Sequence, residues 1–170
     1  MQATTLQLYS LRYSQQKTYW LTVAFIAGNI LLPQMVHFIP RGGLIWLPIY
    51  FFTLIGSYKY GVRVGLLTAI LSPVVNSLMF GMPSEAVLPF ILVKSCLLAV
   101  AAGYVAHRFK SASVLLLGGV VLTYQLIGTA VEWIVLGDFV AAVQDFRLGI
   151  PGMLLQIYGG YFIINNLIRK

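Results

Sequence analysis

Two ionisable side chains sit where the chain is otherwise hydrocarbon: Lys94, between Val93 and Ser95, and Glu132, between Val131 and Trp133. A charge inside an apolar helix costs several kcal/mol unless it is paired or meets water, so each needs a reason to be there. If the flanking polar breaks are helix ends, Lys94 lies roughly 12 Å and Glu132 roughly 6 Å below the same face, a difference the lysine stem can climb. The two form either a structural ion pair between neighbouring helices or a pair of charges lining an outward-facing cavity. The same level carries Asn76, Trp133, Trp46, Gln156 and Tyr158, with Arg41 and Arg147 in the loops above. Aromatic walls with a few fixed polar groups are what a small-molecule pocket uses.

Each of these residues also has a plainer reading. Trp46 and Trp133 fit an interfacial aromatic belt. Arg41 and Arg147 fit solvated loop positions. Asn76 follows Ser72 and Pro73, and an amide there can satisfy carbonyls freed by a proline kink. Catalytic constellations are missing. Asp138 and Asp145 share one outer loop, so no facing aspartate pair forms inside the apolar region. His37 and His107 fall at opposite ends of the spans, about a bilayer thickness apart, and cannot share a metal or a dyad. The chain has no Walker loop and no acidic Mg²⁺ cluster. We therefore expect no catalytic residues, no metal and no resident cofactor: a binding protein rather than an enzyme, whose energy for any active transport comes from a partner.

The elements that must position these residues follow from composition. Of 170 residues, 59% are apolar and 9% charged, against about 25% charged in soluble domains. A water-soluble domain of this size cannot hide that much apolar surface, and the single cysteine, Cys96, forms no bridge within the chain. An all-α integral membrane protein remains, forming one membrane domain over 1–170. Six apolar stretches approach the length a spanning helix needs: Thr18–Val36, Gly43–Ser57, Val62–Phe80, Ala86–His107, Ser113–Leu136 and Gly149–Ile168. The second is short and contains Pro48. Residues 1–17 form a tail at the inner interface, and 18–168 form the six-helix bundle.

Lysine and arginine placement orients the bundle. Arg12, Lys17, Lys59, Arg63, Arg108, Lys110, Arg169 and Lys170 fall on one side, and only Arg41 and Arg147 on the other. The positive-inside rule then puts both termini in the cytoplasm. The net charge of +7 is a topology signal, because its residues sit in separated pairs along one membrane face, and no nucleic-acid partner is expected. On the first span, Ala24, Ala27 and Gly28 form a small-residue face that lets another helix approach closely, within this chain or from a partner.

From about Tyr19 to Ile168 the chain resembles the substrate-binding S component of an energy-coupling factor (ECF) transporter. The resemblance rests on size, six spans with both termini inside, and the stretch from the second to the third span: Leu47-Pro48, Gly56, a Gly61/Gly65 turn into the third helix, Ser72-Pro73 with Asn76, and Gly81-Met82-Pro83. The Ala24/Gly28 face is similar to the motif with which the family's first helix docks on its coupling partner. The resemblance implies capture of a water-soluble vitamin or similar micronutrient at an outward pocket of a prokaryotic cell membrane. It also implies a separate transmembrane coupling protein and two cytoplasmic ATPases. A nickel or cobalt cargo is not expected, because the chain begins Met1-Gln2 and its histidines are far apart. Lys94, Arg41 and Arg147 are placed to meet a carboxylate or phosphate, and Trp46, Trp133 and Tyr158 to stack on a ring. A non-catalytic six-span scaffold of the cell envelope has similar length and topology, and is the alternative.

Overall fold

The computed structural model describes residues 8–167. Met1–Gln7, the predicted last span residue Ile168, and the terminal charges Arg169 and Lys170 lie outside the described residues. Every element in the described part is helical. Four helices are long and apolar enough to cross a membrane: α1 (Gln16–Val36), α4 (Val62–Phe80), α5 (Leu88–Phe109) and α6 (Val114–Leu136). The shorter elements are α2 (Gly42–Trp46), a 3-10 turn at Pro48–Tyr50, α3 (Phe51–Tyr60), α7 (Phe139–Leu148), α8 (Ile150–Leu154) and α9 (Gly160–Phe162).

The long helices start and stop for local reasons. Ser113 caps α6 by accepting from Leu116 N–H at 3.2 Å. Asp138 caps α7 through Val140 N–H at 2.8 Å and Ala141 N–H at 3.2 Å. Gly81 and Gly137 end α4 and α6 in the left-handed conformation that glycine adopts without a Cβ clash. Many of the largest side chains face outward, including Trp20, Leu78, Leu115 and Ile134. Tyr58, Leu54, Leu98, Leu117 and Tyr124 fill the interior. An apolar exterior around an apolar interior is unfavourable in water and matches a hydrocarbon solvent.

Two predicted spans take a different form. The stretch Gly43–Ser57 is not one helix: Leu47 adopts a left-handed conformation before Pro48, which separates α2 from α3. Proline has no N–H to continue the α2 ladder, so the chain turns there and restarts. The stretch from Gly149 is helical from Ile150 but passes through wide π turns at Leu155–Gly159 and Ile163–Leu167. The predicted outer loop that holds Asp138 and Asp145 is also corrected, because most of it is the helix α7. Asp138 supplies its cap, and Ala142 and Phe146, four residues apart, give it an apolar face against the bundle.

The ends of the bundle are called inner and outer after the charge pattern. Residues 8–11 run as a strap along the inner end of α3, where Tyr9 N–H donates to Lys59 O at 2.8 Å and Leu11 N–H to Tyr60 O at 3.1 Å. The strap satisfies carbonyls that a helix terminus leaves open. Tyr58 Oη donates to Ser111 O at 2.7 Å, and Asn165 Nδ2 to Ala112 O at 3.4 Å. Tyr9 and Asn165 therefore lie at the same end of the molecule.

Candidate functional site

α5 and α6 pack along their length, and their contact brings Lys94 to Glu132. The Lys94 ammonium donates to Glu132 Oε2 at 2.6 Å and to Asp145 Oδ2 at 2.7 Å. Lys94 is 1% exposed, while the Glu132 and Asp145 side chains keep 13% and 20%. One lysine thus holds two carboxylates, one from the long helix α6 and one from the short helix α7. Two charge-assisted hydrogen bonds offset the desolvation of the ammonium, which a single partner would do less completely. The lysine stem reaches this position because residue 128 is glycine: a Cβ there would overlap Lys94 Cγ.

Beside this triad is a cavity of about 560 Å³ at the outer end. Its walls come from the turn after α1, from α2 and the Pro48 turn, from the outer ends of α4 and α5, and from α7. Asn76, Tyr50, Arg41, His37, Ile91 and Asp145 are among the residues that line it. Asp145 therefore belongs to both features, with one oxygen on the ammonium and the residue itself among those lining the cavity. Asn76 is buried, and its Oδ1 accepts from Gln34 Nε2 at 3.4 Å. Tyr50 Oη is buried without a hydrogen-bond partner among the described residues. The Tyr50 ring lies 5.3 Å from that of Tyr124, whose hydroxyl donates to Gln156 Oε1 at 3.0 Å.

The residues selected from sequence therefore separate. Lys94 and Glu132 meet. Asn76 and Arg41 line the cavity, and Gln156 is buried behind Tyr124. Trp133 packs edge-on against Phe139 at 5.2 Å on the exterior and is 48% exposed. Tyr158 is 59% exposed, and Arg147 is exposed. Trp46 is half-buried, with its backbone carbonyl pressed against Gly152 rather than its ring in the cavity. Of these nine positions, the aromatic ones Trp46, Trp133 and Tyr158 are absent from the cavity wall. The small-residue face also divides. Ala24 and Ala27 are exposed, whereas Gly28 faces the Phe52 ring, where a Cβ would come within 2.6 Å of ring carbons.

Asp145, Tyr50 and Tyr124 were missed. Asp145 has a sequence signal, because Asp138 stands in front of a short amphipathic run and makes residues 139–148 a capped helix. An acidic residue on such a helix can return toward the bundle. Tyr50 and Tyr124 carry no comparable signal in an aromatic-rich apolar chain. Among the described residues, no group of three metal-ligating side chains comes together.

A second polar cluster holds α1 to α3 and α4. Asn29 Nδ2 donates to Thr53 Oγ1 at 3.0 Å and to Ser72 Oγ at 3.1 Å, and Asn29 Oδ1 accepts from Phe52 N–H at 3.1 Å. Asn29 and its three partners bond to one another within the protein, so this cluster ties α1 to α3 and α4 rather than offering a site. No family model, curated protein or solved structure matches the chain.

Proposed function

We propose that the chain is the substrate-capture subunit of an ECF-type importer for a water-soluble vitamin or similar micronutrient. In this reading it crosses a prokaryotic cell membrane six times with both termini in the cytoplasm. The four long helices, the α2–α3 segment and the helical run from Ile150 make the six crossings. The cavity beside Asn76, Tyr50 and Asp145 faces outward. The exposed Ala24 and Ala27 contact a transmembrane coupling protein, and two cytoplasmic ATPases supply the energy.

The observation that carries this reading is the junction of cavity and triad. The cavity is large enough for a vitamin-sized molecule, has mainly apolar walls, and meets a buried charged cluster through one shared carboxylate. Polar side chains this deep in an apolar bundle mark a binding path more often than simple packing. The test is native mass spectrometry of the protein purified from its own host. One small molecule retained per chain, and lost on mild unfolding, is the expected result. A chain that carries only lipid under all conditions refutes the capture role. The Lys94 ammonium finds both of its partners within the protein, and that observation favours the second reading, a six-span envelope scaffold in which the three charges only lock α5, α6 and α7.

A further inference from the structure

We propose that the ligand of the outer cavity presents a cationic or amine group to Asp145. The inference rests on the capture reading and specifies its substrate class. Lys94 carries one positive charge against the two negative charges of Glu132 and Asp145, so the triad has a formal charge of −1. The ammonium cannot serve an incoming anion, because it is 1% exposed and already donates to both carboxylates. The triad residue on the cavity wall is Asp145, whose Oδ2 is taken by the lysine and whose other oxygen is an acceptor.

A ligand meeting this wall finds an excess negative charge in a poorly solvated place. A cation or N–H donor there completes the charge balance. A carboxylate or phosphate there adds like-charge repulsion and desolvation, and the triad presents it no accessible donor. This reverses the expectation that Lys94 receives an anionic cargo. Arg41 is the other firmly charged residue on the wall, but it is exposed and its field is screened by water and salt, so it does not set the charge at the triad. Tyr50 lines the same wall, and its buried hydroxyl, partnerless among the described residues, adds no positive charge.

The experiment is equilibrium binding to the purified full chain of a probe panel sorted by charge: thiamine as a cation, nicotinamide and riboflavin as neutral rings, biotin and pantothenate as anions. Each is measured on the wild type and on Asp145→Asn. Glu132 still pairs with Lys94 in that variant, and gel filtration with a thermal melt verifies its fold. The expected result is preference for the cation by at least tenfold over every anion, and a loss of at least tenfold in that affinity in Asp145→Asn. Tight binding of an anion, unchanged or strengthened in Asp145→Asn, overturns this inference and leaves the capture reading standing. Absence of binding by every probe, together with no small molecule retained on purification, overturns both.

Discussion

Gly128 lies against the aliphatic stem of Lys94, and Glu132, one helical turn further along α6, takes the ammonium at the end of that stem. Residues four apart share one helix face, so a single face of α6 supplies both the space and the counter-charge for a lysine on α5. Gly128→Val should push the stem aside and separate the pair. The expected cost is about 2 kcal/mol, in the range for overpacking a well-filled interior. Gly119→Val on the same helix meets open space and should cost far less. Thermal melts of the two variants in one detergent provide the check.

Removing the lysine should be the most damaging single change in the triad. Lys94→Met leaves two carboxylates facing each other without a cation, and should cost about 3 kcal/mol or more. Glu132→Gln and Asp145→Asn each leave one ion pair intact and should cost less. The triple variant Lys94→Met, Glu132→Gln, Asp145→Asn should recover much of the loss seen in Lys94→Met. Failure of the triple variant to recover anything would show that packing, and not charge, holds this contact.

Asn29 ties three helices together through three hydrogen bonds. Asn29→Ala removes both the donor and the acceptor and leaves Phe52 N–H and two hydroxyls to find new partners. At about 1 kcal/mol per lost bond, the expected destabilisation is about 2–3 kcal/mol. Thr53→Ala, which removes one of the three, should cost about 1 kcal/mol. Both values are read from equilibrium unfolding in mixed micelles.

The aromatic residues that the sequence marks for stacking give a sharp contrast. Trp133→Ala, Tyr158→Ala and Arg147→Ala alter exposed side chains away from the cavity wall and should leave retained small molecule within twofold of wild type. Asn76→Leu replaces a buried polar group on the wall and should lower retention at least fivefold. Native mass spectrometry reports all four. Loss of retention in the first three with none in the last would place the ligand elsewhere.

Much of this architecture is written in hydrocarbon length. The span predicted over Val62–Phe80 coincides with α4, those over Thr18–Val36 and Ser113–Leu136 differ from α1 and α6 by two and one residues at the start, and that over Ala86–His107 is offset from α5 by two residues at both ends. Continuous apolar runs bounded by glycine, serine or charge leave few alternatives there. The second and sixth stretches were less legible, because apolar content does not reveal Leu47 turning left-handed before Pro48 or the π turns after Leu154. The meeting of Lys94 and Glu132 was legible for an energetic reason, since two opposite charges in hydrocarbon have strong cause to pair. Asp145 was not, because a polar segment beside a glycine reads as a loop until the capped helix in it is recognised. Side-chain direction was the weakest point: residues at one depth on different helix faces look equivalent in a sequence, and Trp133 and Tyr158 point away.

In the proposed function the outer cavity holds a small molecule. An experimental density map of the protein purified from its native membrane tests it most directly. Compact, non-lipid density in contact with Asn76, Tyr50 and Asp145 is expected, with the Lys94–Glu132–Asp145 contacts intact beside it. A cavity closed by its own side chains, or filled by an acyl chain in every preparation, would contradict it.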